Sequence, residues 1–368
     1  MRFDTCIYTA LRDCAMTSPR RAHVVGLGLI GGSIACGLRD RGWMVTGSDT
    51  NQSVVDQALR DEIIVGTSSD DAEYVFIAVP AQAVVGVAET LLRSLPPTAA
   101  VTDVAGVKQA IVTAIDDPRF VGGHPMAGSE QKGLDGSRPD LFLGATWVLT
   151  PSAATAPEVY TRLHSVISDL GATPLALPAD THDRLVAMAS HVPHLVAGAL
   201  MNEASGMATE DSALLRLAAG GFRDMTRISA GDSGIWPGVL FNNAKAVREG
   251  LTRVIERLRK IEAIITTMDR EALLLELNSA AVARRALPGR GVSYEQLVVI
   301  LVPVDDRPGV LATITNLASE LNINIFDIGI SHSVEGSAGV LQISVEHSES
   351  PQFIDALVRA GYRAVSET

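Results

Sequence analysis

Between residues 22 and 176 short apolar runs alternate with amphipathic stretches: AHVV at 22–25, MVTG at 44–47, YVFIAV at 74–79, AAVTDV at 99–104, FVGG at 120–123 and WVLT at 147–150. The runs are rich in valine and isoleucine and barely alternate with polar residues, as strands covered on both faces do. Their repetition with intervening helical patterns predicts an α/β domain built on a parallel sheet, over residues 21–179. Past Asp180 the period becomes helical. The stretch 181–204 reads as a helix that Pro193 kinks or splits. Val247, Leu251, Val254, Leu258, Ile261, Ile265 and Met268 then recur at alternating spacings of four and three. That is the seam of a coiled coil or bundle, serving either as intrachain core or as a subunit interface; beside a dinucleotide-type domain the interface is expected, an all-helical dimerisation domain over 180–285.

The segment 286–296 opens with ALPGRG and predicts a linker. Beyond it, 297–368 reads strand (LVVILVPV), helix (GVLATITNLASEL), strand (NIFDIGI), strand (GVLQISV), helix (QFIDALVRA) and a short last strand near Tyr362. This βαββαβ order is the ferredoxin-like split motif. Residues 1–20 are expected to be an extension outside the fold, with Met16 as a possible true start, because Arg2, Asp4, Arg12 and Asp13 interrupt the opening and do not suit a signal peptide.

With 368 residues, 47% hydrophobic and 20% charged, the chain can bury several cores and is not of disordered composition. Its formal net charge of -12 argues against non-specific binding to nucleic acid or an anionic membrane. An anionic substrate therefore needs a local basic pocket. No uninterrupted apolar run reaches the ~18–20 residues of a membrane span. Three cysteines, Cys6, Cys14 and Cys36, make neither a disulfide framework nor a zinc site and suit a reducing cytoplasm.

The candidate chemistry begins at Gly26-Leu27-Gly28-Leu29-Ile30-Gly31, which follows a predicted strand and opens a helical pattern. The glycines permit a tight turn, close approach of a pyrophosphate and close helix packing. Asp49 stands about 20 residues on, where a carboxylate binds a ribose 2′-hydroxyl and repels a 2′-phosphate, so NAD is expected rather than NADP. Val79, which ends the third run, and Pro80 just after it are expected to line the same ligand. His124 follows the run FVGG and precedes Pro125, at the strand end where such folds bind ligands. His191 and His194 form an i, i+3 pair, but no third ligand stands out and no metal is expected. In GGFRDMTRI, at 220–228, Phe222, Met225 and Ile228 are expected to face the core. Arg223 and Arg227 would then share another face, with Asp224 bracing Arg227.

Taken in order, GLGLIGGS, TDVAGVK, GGHPMAGSE, SHVPH and GGFRDMTRI resemble the prephenate dehydrogenase family of tyrosine biosynthesis. The terminal unit, with Asp306-Arg307-Pro308-Gly309-Val310-Leu311, resembles an ACT domain, a module that senses amino acids. The resemblance implies NAD-dependent oxidative decarboxylation of prephenate to 4-hydroxyphenylpyruvate. It makes His124 the residue that takes the ring hydroxyl's proton and Arg227 the clamp on a substrate carboxylate. His194 would lie near the substrate, with His191 and Arg223 as neighbours. Many relatives carry a serine where this chain has Gly106, and Ser129 is a candidate to replace it. Arogenate is the alternative substrate, since an amino group replaces its keto oxygen, and Glu130 is the carboxylate that could select it. The resemblance also implies tyrosine as an effector at Asp306, Pro308, Gly309, Asn322 and Asn324, and a homodimer. Two other readings are open: a hydroxyacid or imine reductase, and a non-catalytic amino-acid sensor on a dehydrogenase scaffold.

Overall fold

A computed structural model of the chain describes residues 19–129, 131–210, 214–231, 233–286, 297–305, 307–332 and 338–367. Strands and helices alternate from the start: β1 (Arg21–Val25), α1 (Leu29–Arg39), β2 (Met44–Ser48), α2 (Gln52–Arg60), β3 (Tyr74–Ile77) and α3 (Ala81–Ser94). They continue with β4 (Ala100–Asp103), α4 (Gln109–Ala114), β5 (Phe120–Pro125), β6 (Thr146–Thr150), α5 (Pro157–Asp169) and β7 (Thr173–Ala176). The seven strands form one sheet in the order β2-β1-β3-β4-β5-β6-β7.

The unbroken apolar runs have a direct cause. In β3, Tyr74 and Phe76 join one core with Val24, Trp147 and Leu163, while Val75 and Ile77 join another with Val84 and Val101. β3 therefore buries both of its faces, and β4 does the same, with Ala100 in the first core and Val101 in the second. The expectation of a parallel sheet needs one correction, because β6 runs antiparallel to β5. Among the described residues, the connection between them carries a 3-10 turn, Leu134–Gly136, rather than the helical crossover a parallel return requires. A seventh strand, β7, also lies beyond the six apolar runs; it is short and mostly exposed. Strand order reverses between β1 and β3, the switch point beyond whose strand carboxyl ends sheets of this kind bind ligands.

The helical segment runs α6 (Ala179–Val186), a π-helical turn (Ala187–His191) and α7 (Val192–Glu210). Pro193 thus sits in the first turn of α7, and the distortion precedes it. One run here, 179–208, is long and apolar enough by length and composition to cross a bilayer. Counting uninterrupted apolar residues overlooks it, because His182, Asp183 and Arg184 punctuate its start. Next come α8 (Gly220–Thr226), α9 (Trp236–Asn242), α10 (Ala244–Thr266) and α11 (Arg270–Arg285). Glu276 on α11 accepts from Arg257 at 2.7 Å and Lys260 at 2.9 Å on α10. Along the α10 seam Val247 is buried and Leu251, Val254 and Ile261 are half-buried, but Leu258, Ile265 and the following Met268 are 56%, 59% and 89% exposed among the described residues.

The final segment is β8 (Leu297–Asp305), α12 (Val310–Glu320), β9 (Asp327–His332), β10 (Ala338–Glu346), α13 (Ser350–Arg359) and β11 (Val365–Glu367). Its antiparallel sheet has the order β11-β8-β10-β9, the arrangement of a split βαβ motif. Ile300, Ile314, Ile343 and Phe353 form its core. The chain divides into two compact units, Met1–Leu217 with Met225–Thr252, and Ala218–Asp224 with Arg253–Thr368.

One buried polar residue links the sheet to pH. His23 on β1 is 2% exposed, with ring nitrogens 2.8 Å from Thr46 Oγ1 and 3.1 Å from Ser48 Oγ. Burial pushes its pKa down to about 4. The unfolded chain therefore binds this proton more tightly, and stability falls as pH drops from about 6.5 towards 4, by up to ~3 kcal/mol from this residue. Urea titrations at pH 7 and pH 4.5 should show this loss. His23→Gln, which keeps a polar side chain but does not titrate, should reduce the difference; an unchanged difference would remove His23 as a cause.

Candidate active site

The site begins at the glycine turn. Gly26 has φ +87°, and a Cβ there would collide with the carbonyl of Ala78; one on Gly31 would collide with the carbonyl of Gly26. Gly28, the N-cap of α1, has open space where its side chain would be. The first-turn amides of a helix have no intrahelical partners, so the start of α1, with no side-chain cap at Gly28, suits an anion. Asp49, just past β2, accepts from Leu27 N at 2.8 Å and Asn51 N at 2.9 Å, which holds its carboxylate beside this turn. Val79 packs beside Gly26, and Pro80 caps α3.

His124 lies in β5, half-buried. Its Nδ1 is 2.8 Å from Nε2 of His182 on α6, and His182 Nδ1 is 2.8 Å from Asp183 Oδ1. Asp183 Oδ1 also accepts from Lys108 N at 2.7 Å, and its Oδ2 accepts from Gln109 N at 2.9 Å. Asn243, at the end of α9, donates to the Asp183 carbonyl at 2.8 Å and lies 3.3 Å from His191 Nδ1. Beneath the imidazole, fully buried Lys108 is paired with fully buried Asp103, which also accepts from Gly123 N at 3.1 Å and Ala105 N at 3.0 Å. Burial lowers the Lys108 pKa, against the opposing pull of Asp103 and Asp183. The His124 pKa is pushed well below 6.5, first by burial and then by His182, Lys108 and His191. Burial also lowers His191 and His194.

His182 and Asp183 carry no motif that marks them in the sequence. Their signal is weak: a histidine and a carboxylate adjacent at the start of a helix. Other expectations fare differently. His194 stacks on Trp236, with ring centroids 3.7 Å apart, and His191 meets the same ring edge-on. Arg227 begins a 3-10 turn that packs against α7, and its side chain is exposed. Because α8 ends at Thr226, the α-helical repeat expected to align Arg223 with Arg227 does not continue through both. Arg223 instead donates to Ala218 O at 3.3 Å. Met225 and Ile228, expected in the core, are 58% and 37% exposed, and Phe222 is half-buried.

Ser129 is exposed, and its hydroxyl accepts from Gln131 N in a local turn; the recorded partner of His124 is His182 instead. Glu130 and Asp306 lie outside the described residues. Pro308, Gly309, Asn322 and Asn324 are exposed on the terminal unit, with Gly309 capping α12 at φ +92° and Asn322 at φ +56°. No group of three or more metal-ligating side chains occurs among the described residues. A groove of about 690 Å³ lies between α4, α6 and the start of α10, bordered by Asp180, Asp183, Arg184, Lys245 and Glu249.

Comparison with known proteins places this geometry. Residues 34–175 match the family model described as prephenate dehydrogenase, nucleotide-binding domain, and 178–279 match prephenate dehydrogenase, dimerization domain. The chain is 30% identical over 362 residues to prephenate dehydrogenase of Bacillus subtilis, covering 94% of this chain and 96% of that protein. The chain belongs to the prephenate dehydrogenase family. A crystal structure of the A. aeolicus prephenate dehydrogenase with hydroxyphenyl propionate and NAD+ is 30% identical, with TM-score 0.69 over 73% of this chain and 98% of that one. Synechocystis arogenate dehydrogenase is 33% identical, with TM-score 0.64 over 72% and 98%. The chain is therefore an oxidoreductase of aromatic amino-acid biosynthesis.

Gly106, where the sequence resemblance leads to a serine, lies against the imidazole. A Cβ there would stand 3.7 Å from His124 Nε2, an ordinary contact, with no left-handed backbone to strain. Gly106→Ser should fold normally and keep turnover within about tenfold, its hydroxyl reaching the imidazole. A loss beyond tenfold in steady-state kinetics would mean that the loop requires glycine.

Proposed function

We propose that the protein oxidatively decarboxylates prephenate to 4-hydroxyphenylpyruvate with NAD, supplying tyrosine biosynthesis in the cytoplasm. The observation that carries this reading is the half-buried His124 at a strand's carboxyl end, with its Nδ1 engaged and its Nε2 beside the small Gly106 loop. Gly26, Gly28, Leu29, Ile30, Gly31, Asp49, Val79 and Pro80 would hold the dinucleotide, and the Asp49 carboxylate disfavours a 2′-phosphate. NAD+, when bound, supplies the acceptor for the hydride leaving the hydroxyl-bearing ring carbon.

The chain's residues handle the proton and the anion. His124 Nε2 accepts the ring hydroxyl's proton as the carbonyl forms, which requires a neutral imidazole; burial favours that form. The resulting dienone sits opposite the ring carboxylate. Loss of CO2 then aromatises the ring, so the protein mainly has to orient its reactants. Arg227 clamps a substrate carboxylate, with Arg223 adding positive charge, in a contact of about 1.5–3 kcal/mol. His194, stacked on Trp236, together with His191 and Ser129, shapes the rest of the pocket. Arogenate is the second reading, favoured by the similarity to the Synechocystis arogenate dehydrogenase. The exposed α10 seam and the dimerization-domain match support a homodimer. The terminal unit acts as an ACT-like sensor of tyrosine through Asp306, Pro308, Gly309, Asn322 and Asn324.

Adding prephenate and NAD+ should produce NADH absorbance, and His124→Asn should lower kcat by about 10²–10⁴-fold. Because the His124 pKa is depressed, activity should hold through neutrality and fall only below pH 6.5. A His124→Asn variant of undiminished rate would overturn the assignment. Turnover compared on prephenate and arogenate decides the substrate. Calorimetry with tyrosine should show binding heat; no heat and no thermal shift would remove the sensing role.

A further inference from the structure

We infer that Asp183, acting through His182, is a positioning residue that fixes the catalytic tautomer of His124. This rests on the reading of His124 as the base that takes the substrate's hydroxyl proton.

The inference follows from counting donors and acceptors. An ionised Asp183 carboxylate only accepts, and it already receives the Lys108 and Gln109 backbone N–H groups. At 2.8 Å, His182 Nδ1 must therefore carry the proton it shares with Asp183 Oδ1. A neutral His182 then has a bare Nε2, which can only accept. Its 2.8 Å partner, His124 Nδ1, must be the donor. A neutral His124 is left with an unprotonated Nε2 on the side of Gly106. That is the nitrogen the reaction needs. Had the chain of bonds run the other way, His124 Nε2 would carry a proton and could not take another.

The relay is built to hold its direction. His182 is fully buried, and Asp183 is anchored by two backbone donors through its carboxylate and by Asn243 through its carbonyl. When the substrate O–H bond breaks and the Nε2–H bond forms on His124, the new imidazolium donates from Nδ1 to His182, whose other nitrogen faces the carboxylate. No proton passes beyond His124. The charges around the imidazole are Lys108, paired with Asp103, on the β4–α4 side, Asp183 with His182 on α6, and His191 on the π-helical turn. Asp183 is the carboxylate reached through the ring itself, so removing it leaves the imidazolium less compensated.

The test compares three variants of the full-length chain. Asp183→Asn can donate to His182 Nδ1 and so reverse both bonds. It should lower kcat on prephenate by at least about 10²-fold with little change in KM, and move the acid limb of the pH profile to lower pH; loss of the tautomer-fixing carboxylate in a Ser-His-Asp triad costs about 10⁴-fold. His182→Phe should lose activity similarly. His182→Gln, whose amide oxygen can accept from His124 Nδ1, should recover at least tenfold over His182→Phe. Because Asp183 also caps α4, NAD+ affinity and circular dichroism verify folding. Nitrogen-15 NMR of the histidines, assigned by difference with His124→Asn, should show the wild-type His124 protonated on Nδ1. Asp183→Asn and His182→Phe both within threefold of wild-type kcat, or an Nε2-protonated His124, would overturn the inference. If the wild-type protein itself fails to oxidise prephenate or arogenate, the functional reading fails instead.

Discussion

The Asp183 carboxylate is the tie on which the site's geometry depends. It joins the backbone at the start of α4 to the ring of His182 on α6, and through that ring to His124 on β5. The carboxylate thus joins α4 to α6 directly, and reaches β5 only through the His182 ring. Charge-assisted bonds of this kind are shorter and roughly twice as strong as neutral ones. The short α4 also gains at its N-terminus, where two amides otherwise without intrahelical partners end on a carboxylate.

A buried charge pair, Lys108 with Asp103, supports the same strand. Lys108 and Asp103 are both fully buried, and Asp103 further accepts from Gly123, the residue before His124. Such a pair contributes little net stability, since desolvation offsets attraction, but removing one partner strands the other at a cost of about 3–5 kcal/mol. Its value here is geometric: it fixes the β4–α4 loop against β5, and so sets how close Gly106 comes to the imidazole. The cation also works against protonation of His124, in the same direction as burial.

Sheet and helices were legible because apolar periodicity is written locally. The runs around Val24, Phe76 and Val101 announce strands buried on both faces, and the glycine turn announces a dinucleotide site. The reversal of β6 was not legible, because strand direction depends on what the connection can span rather than on the strand's own residues. Nor was the relay. His182 and Asp183 lie some sixty residues from His124 and read as ordinary polar positions of an amphipathic helix. Only the contact of His182 with His124 on β5 gives them chemistry. Met225 and Ile228 failed for a related reason, since the helical period on which they were read stops at Thr226.

On the proposed reading, these features would serve one end: a neutral imidazole, unprotonated on Nε2, offered to the substrate's ring hydroxyl. A crystal structure of this chain with NAD+ and 4-hydroxyphenylpyruvate measures that arrangement directly. The ring oxygen should lie within hydrogen-bond distance, about 2.6–3.2 Å, of His124 Nε2, with the side-chain carboxylate on Arg227. A product ring turned away from His124, its oxygen held by other groups, would contradict the assignment of this imidazole as the base.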